Sequence, residues 1–392
     1  MLIIGAVQLI NTLDFVMVMP LGPDFAAALH IAPSKLGWIG GAYTAAASIA
    51  GFAGAAVLNR FDRRKALCFT LCGLALGTAA GGLATSFATL LCARLIAGAF
   101  GGPATSVAYA IIADLVPPQR RGKAMGAVMA AFSVASVIGL PLGLELARRA
   151  GWRAPFFVVA ALGLAVNAVA FLALPSLRSH VQERPTATAT PTSAAALRAP
   201  AVSLSYLLSS LVMVSSFLIF PNLSPYVQFN LGFARKDLST LYLVGGVFSF
   251  FATRYGGRLV DRQGSFRVGT VGTLVLVAVQ LLFFVRIVPA VPVFVLFSLF
   301  MLGNALRNVA FYTLTSKVPS LATRARFVSI QSAIQHASAA AGAFVAAHLL
   351  GEASGGQLVG MGRIGLLAIA LSASVPLLLF AVERRVRLAS DA

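Results

Sequence analysis

The stretch GRLVDRQGSFR, Gly257 to Arg267, is a short basic turn set between two long apolar runs, and about 202 residues before it stands a partial copy, NRFDRRK, Asn59 to Lys65. The same offset relates other breaks in the chain. PPQRRGK, Pro117 to Lys123, corresponds to PSLATRAR, Pro319 to Arg326, and Pro20 with Pro23 corresponds to Pro221 with Pro225. Turns that recur at one distance imply that the apolar runs between them recur as well, so the chain reads as two copies of one multi-helix unit laid end to end.

The length of the runs says what they are. The 392 residues are 59% hydrophobic and only 10% charged, with a mean hydropathy of +0.89, whereas a soluble domain carries ~25% charged residues. Uncharged runs such as 36–59, 66–93, 95–113, 154–177 and 327–351 reach or approach the ~20 residues that a membrane-crossing helix needs. The alternation over ~10 residues that marks a membrane β-barrel is missing from them. The expected fold is therefore all-α and integral to a membrane. Breaks at Pro, Gly and charge clusters place twelve helices, roughly 2–22, 36–58, 66–85, 88–112, 123–146, 154–174, 203–226, 238–257, 267–286, 290–315, 327–350 and 363–382. Met1 opens directly into the first apolar run, so a removable signal peptide is not expected. Cys68, Cys72 and Cys92 all fall in predicted helices without His or acidic neighbours, which points to apolar packing and to no metal site.

The net charge of +19 would suggest a nucleic-acid partner in a soluble chain, but its distribution gives another answer. With the first helix starting inside, the inner loops hold clusters such as Arg60, Arg63, Arg64 and Lys65, then Arg120, Arg121 and Lys123, and later Arg258, Arg262 and Arg267. The outer loops hold far fewer. That asymmetry orients both termini to the cytoplasm, with anionic inner-leaflet lipids as natural partners and no nucleic acid. Between helices 6 and 7 runs SLRSHVQERPTATATPTSAAALRAP, whose Pro, Thr, Ala and Ser content reads as a flexible connector. The expected organisation is a six-helix bundle over 1–175, a cytoplasmic linker over 176–200 and a second six-helix bundle over 201–392.

On these residues the chain resembles the major facilitator superfamily over its whole length. The family's loop pattern G-x-L-x-D-R-x-G-x-x-R/K is matched well from Gly257 through Asp261 and Arg262 to Arg267, and partly from Ala56 to Lys65. In the first copy Asn59 stands where the family has Asp, and Asp62 where it has Gly, so Asp62 is a candidate substitute for the displaced carboxylate. LLCARLIAGAFGG, Leu90 to Gly102, resembles the family's helix-4 motif, in which an Arg is linked to proton transfer. SVIGLPLGLELARRAGWRAPF, Ser136 to Phe156, resembles the antiporter motif of helix 5 in the form found in bacterial sugar and drug efflux permeases. The resemblance implies two bundles related by a pseudo-twofold axis, a substrate site at mid-membrane between them lined by helices 1, 4, 7 and 10, and a proton-coupled antiporter of a bacterial inner membrane working by rocker-switch alternating access.

The polar residues inside the spans supply the candidates. Gln8, Asn11 and Asp14 recur every third residue and share a helical face. A mid-membrane acid costs ~2.5–3.5 kcal/mol on insertion scales and usually faces a cavity or a partner, so Asp14 is either the proton-coupling group or the structural partner of an Arg or of a helix end. Arg94 either snorkels to the outer interface or pairs, with Asp14 or with substrate. Asn304, Arg307 and Asn308 cluster on one face of helix 10 with Tyr312 a turn on; substrate contact and a cytoplasmic-side gate are the two roles for Arg307. Gln335 and His336 in helix 11 join the cavity candidates, with His336 a proton carrier or a hydrogen-bonding spacer. Glu145 is expected at the outer interface near Arg148 and Arg149. Asn59, Arg60, Asp62, Arg63, Asp114, Arg121, Gly257, Asp261 and Arg262 form the expected cytoplasmic gate, as ion-pair latches or as a solvated cluster. Gly139, Pro141 and Gly143 permit a bend and a close approach in helix 5. Small-residue spacings such as Gly73–Gly77–Gly81 suit tight helix contacts.

No G-x-x-x-x-G-K-[ST] occurs, so no ATP motor and no cofactor is expected. These features together predict a monomeric, non-enzymatic secondary transporter, exporting small amphipathic or sugar-like compounds, in the style of a multidrug efflux protein. An organic-anion transporter is the alternative, motivated by Arg94 and Arg307 against a single deep acid; a non-transporting membrane sensor ranks behind both.

Overall fold

The computed structural model describes residues 2–58, 61–116, 134–177, 199–286, 291–319 and 323–390, apart from the side chains at 55–58, 113–114, 325 and 389–390. Asn59, Arg60, Arg121, the side chain of Asp114, the first half of helix 5 and most of the connector therefore lie outside the described residues. The chain divides into two compact units, Met1–Ala189 and Thr190–Ala392.

In the first unit the spans are Leu2–Met17 continued by Gly22–Ala28, then Leu36–Leu58, Arg63–Gly82, Phe87–Leu115, the end of the fifth at Leu140–Ala150, and Ala154–Ala173. In the second they are Pro200–Phe217 continued through Asn230, then Leu238–Gln263, Ser265–Gln280, Val293–Ser316, Arg324–Leu349, and Met361–Ala373 continued by Val375–Ser390. Described helices thus stand at all twelve expected positions. Seven of them are long and apolar enough to cross a bilayer as they stand, and the first becomes an eighth when its two pieces are joined across a 58° bend.

The departures from expectation have local causes. The first span stops at Met17, not residue 22, because Pro20 and Pro23 follow, and a proline ring cannot sit inside a helix without breaking its ladder. Pro221 and Pro376 impose matching interruptions in the seventh and twelfth spans. The eighth span runs six residues past its expected end to Gln263, where Gly264 takes φ +89° and closes the helix. Asp261 and Arg262 therefore occupy the last helical turn. Five-residue π segments stand at Ala135–Gly139, Tyr226–Asn230 and Leu281–Val285. The last two are joined, since Tyr226 donates its hydroxyl hydrogen to the Phe283 carbonyl oxygen at 2.6 Å. Among the described residues the all-helical expectation has one exception, a hairpin of Gly351–Glu352 with Leu358–Val359. Asn230 clasps it, donating to Leu358 O at 3.0 Å and accepting from Leu358 N at 2.9 Å.

Glycines bring the helices close. A Cβ on Gly98 would lie 2.1 Å from the Tyr43 carbonyl oxygen, and one on Gly102 2.3 Å from that of Ala47, so the second and fourth spans touch backbone to backbone. Gly77 meets the Ala97 backbone in the same way, and Gly272 meets Gly303 and the Arg307 nitrogen in the second unit. With little hydrophobic drive between helices in lipid, such close dispersion contact is a main source of their association.

Each unit also secures the start of its third helix by a carboxylate. Asp62 caps Arg63–Gly82, accepting from Arg64 N at 2.8 Å and Lys65 N at 3.4 Å, and its other oxygen accepts from Ser176 beyond the sixth span. Arg63 N bonds Leu177 O at 3.1 Å, and Arg64 reaches Leu174 O at 3.1 Å. In the second unit Glu383, from the twelfth span, accepts from Phe266 N at 2.5 Å at the start of the ninth and pairs with Arg387. A side-chain cap of this kind contributes ~0.5–2 kcal/mol.

Candidate functional site

Asp14 is fully buried and Arg94 is 1% exposed, so the arginine does not snorkel outward. The Arg94 Nη1 donates to Asp14 Oδ1 at 2.9 Å, and Nη2 donates to the Asp14 carbonyl oxygen at 3.3 Å. The same Oδ1 accepts the hydroxyl hydrogen of Thr78 at 2.7 Å, while Asp14 Oδ2 has no hydrogen-bond partner. The guanidinium lies 4.5 Å from the centre of the Tyr43 ring, which stacks on Phe15 at 5.3 Å. Tyr43 in turn donates to Asn11 Oδ1 at 2.7 Å, and Asn11 Nδ2 donates to Gly101 O at 2.9 Å and Thr105 Oγ at 2.5 Å. One connected polar network therefore joins spans one, two, three and four.

Each member owes its place to a local feature. The three-residue spacing of Gln8, Asn11 and Asp14 turns them toward the interior, with Gln8 Oε1 left unbonded. Gly98, one turn after Arg94, and Gly101 admit the Tyr43 backbone and ring, which set the guanidinium over an aromatic face. Gly139, in the π segment preceding Pro141, lets Leu13 approach so closely that a Cβ there would lie 2.1 Å from it. Gly143, by contrast, faces open space and makes no close approach.

A buried pair of this kind is a weak source of net stability, since desolvation offsets most of the attraction, yet removing one partner costs ~3–5 kcal/mol. Its chemical capacity lies in that imbalance.

The second unit contains a different arrangement. Arg307 is fully buried, and its guanidinium donates to Ser216 Oγ at 2.7 Å, Asn304 Oδ1 at 2.9 Å, Ser215 Oγ at 3.3 Å and Ser372 Oγ at 3.4 Å. Its Nε has no partner, and among the described residues no carboxylate pairs with it. Asn308 Oδ1 is buried and unbonded nearby in sequence. Tyr312 packs against the apolar cluster of Leu208, Val212 and Phe311. Gln335 and His336 are half-buried and are not among the hydrogen-bond partners of Arg307; the eleventh span is tied by Gln331, which donates to Ser209 Oγ at 2.9 Å.

At the inner loops, Asp62 caps the third helix and accepts from Ser176. Burial works to raise its pKa, and the hydrogen bonds from Ser176, Leu177 N, Arg64 N and Lys65 N outweigh it and hold the group below its ordinary value. Arg63 is buried. Asp261 and Arg262 are exposed and neither makes an ion pair among the described residues; Gly257 meets nothing, the close contact falling to Gly256 against Leu306. Glu145 pairs with Arg148 and Arg149, at 2.6 and 2.5 Å.

Thr78, Tyr43, Thr105, Ser215, Ser216 and Ser372 escaped the sequence reading. A signal existed for two of them. At the repeat offset of about 202 residues, the positions answering to Asp14 are Ser215 and Ser216.

The sequence profile of the Major Facilitator Superfamily matches residues 4–343, and the chain belongs to that family of membrane transporters. It is 30% identical over 380 residues to the chloramphenicol resistance protein of Streptomyces lividans, covering 95% of this chain and 94% of that one. It is 26% identical over 351 residues to the inner membrane transport protein YdhP of Escherichia coli, covering 88% and 85% of the two chains. Among solved structures, the D-xylose-proton symporter matches with a TM-score of 0.78 at 16% identity over 95% of this chain and 96% of the other, a likeness of fold. The protein is thus a multi-pass membrane transporter and not an enzyme.

Proposed function

We propose that the protein is a proton-coupled exporter of small amphipathic compounds, working by alternating access in a bacterial inner membrane with both termini inside. The observation that carries this reading is the Asp14 carboxyl, fully buried, held through one oxygen by Arg94 and Thr78 and open at the other. Such a group exchanges a proton when its cation moves, and the movement of helices in a transport cycle supplies that change. The name of the Streptomyces relative supports export of an uncharged compound bearing an aromatic ring and hydroxyls.

The test is transport in sealed proteoliposomes under an imposed pH gradient, with radiolabelled chloramphenicol as probe and Asp14→Asn beside the wild type. Wild-type flux should follow the gradient and the variant's should not. Gradient-driven flux that persists in Asp14→Asn removes Asp14 from coupling.

An organic-anion substrate is the second reading, and one observation favours it: Arg307 is a buried cation with hydroxyl and amide partners alone among the described residues. Inhibition of flux by small aromatic carboxylates, lost in Arg307→Met, supports that class; indifference to them excludes it.

A further inference from the structure

Buried hydroxyls in helices usually return their hydrogen to the carbonyl one turn back, and Thr70, Thr273 and Thr44 do so, to Ala66 at 2.9 Å, Gly269 at 2.8 Å and Gly41 at 3.0 Å. Thr78 differs. Its single hydroxyl hydrogen has two acceptors within reach, the Leu74 carbonyl oxygen at 2.8 Å and Asp14 Oδ1 at 2.7 Å, and it can serve only one at a time. We infer that Thr78, on the third span, is a positioning residue for the coupled proton: its hydroxyl turns to the Asp14 carboxylate when that group is charged and back to the Leu74 carbonyl when it is neutral. The inference rests on Asp14 being the proton carrier, as proposed above.

The chemistry follows from the strengths of the two bonds. To the ionised carboxylate the hydroxyl makes a charge-assisted bond, about twice as strong as the neutral bond to Leu74. When a proton adds to the open Oδ2, Oδ1 becomes an ordinary carbonyl acceptor, that advantage disappears, and the Leu74 oxygen competes on equal terms. No heavy atom needs to move, because both acceptors are already in place. Thr78 therefore favours release of the proton, independently of where Arg94 sits.

The charged and titratable groups around Asp14 are few. The fourth span presents Arg94 and the second presents Tyr43, whose hydroxyl is held by Asn11. The sixth span, Ala154–Ala173, contains no titratable side chain. The third span carries Arg63, Arg64 and Lys65 in its first turn, roughly 20 Å along the axis from Thr78, with the thiols of Cys68 and Cys72 between. The described part of the fifth carries Glu145, Arg148 and Arg149, joined to one another. Thr78 is the one uncharged side chain that touches the carboxylate through a hydrogen bond among the described residues.

The test is an infrared titration of the purified full-length protein in detergent, reading the C=O band of the protonated carboxyl that disappears in Asp14→Asn. Thr78→Val keeps the shape and loses the hydroxyl, and its midpoint should move about one pH unit upward, the tenfold difference expected between a charge-assisted and a neutral bond. Thr78→Ser keeps the hydroxyl and should superimpose on the wild type, which a purely steric role for the threonine would not produce. If the valine variant does not fold, Thr78→Ala carries the same expectation as Thr78→Val. A valine or alanine midpoint equal to that of the wild type overturns the role of Thr78 and leaves Asp14 as carrier. A wild-type protein whose carboxyl bands are all unchanged in Asp14→Asn overturns the carrier assignment itself.

Discussion

Replacing Arg94 by methionine keeps an unbranched apolar stem in the fourth span and removes the guanidinium. Three contacts go with it: the 2.9 Å bond to Asp14 Oδ1, the 3.3 Å bond to the Asp14 carbonyl and the stacking on Tyr43 at 4.5 Å. Asp14 is left fully buried with Thr78 alone, and an uncompensated buried charge costs ~3–5 kcal/mol. Asp14→Asn alone retains an oxygen for Arg94 and Thr78 but strands the cation, at a similar ~3–5 kcal/mol. In the double variant both charges are gone, and buried pairs replaced by neutral groups are often close to neutral in stability. The double-variant loss should therefore fall short of the sum of the single losses by about 2 kcal/mol or more, within the range found for contacting residues. Reversible unfolding of the purified protein in mixed micelles measures all four corners of the cycle. Losses that add to within ~0.5 kcal/mol refute the pairing.

The other substitutions probe packing and a cap. Gly98→Ala drives a methyl to within 2.1 Å of the Tyr43 carbonyl oxygen, a backbone atom that cannot turn aside; it should cost ~1–3 kcal/mol as an overpacking change and reduce the yield of folded protein on gel filtration, whereas Gly143→Ala, with open space around it, should do neither. Asp62→Ala removes the cap of the third span and should cost ~0.5–2 kcal/mol at neutral pH. The folded pKa of Asp62 is depressed, so its contribution is present above the unfolded value of ~3.9 and is lost as the pH falls through the lower folded value. Wild type and Asp62→Ala should accordingly unfold alike in strong acid, and a gap that stays constant down to that range contradicts the hydrogen-bonded carboxylate.

The helices were legible because hydropathy and punctuation are local properties: a run of twenty apolar residues declares itself, and proline ends it wherever the helix lies. What the prolines did to the first, seventh and twelfth spans was less visible, since a kinked helix and a terminated one begin with the same residue. The candidate site divides along similar lines. Asp14 and Arg94 stand out in sequence because charge inside an apolar run is costly. Thr78 sits in GLALGTAAGG, where a hydroxyl is cheap in any helix and nothing nearby tells which neighbour it faces. Tyr43 was hidden in the same way, by a glycine- and alanine-rich context whose meaning is the closeness of another backbone. The serines around Arg307 were overlooked for a further reason: their hydroxyls return hydrogens to Val212 O, at 3.1 Å from Ser215 and 2.8 Å from Ser216, and so look self-satisfied until an external donor is found.

The two carboxylates that secure the third and ninth helices have a consequence for how the halves diverged. In one copy the anion belongs to the loop entering the third helix, and in the other it belongs to the last helix of its half. The joints resemble each other while their parts have changed sides. A chimera that grafts the end of the twelfth span, with Glu383, onto the first half would set two like charges against one helix start, and the reciprocal graft would supply none. The two joints are therefore not interchangeable.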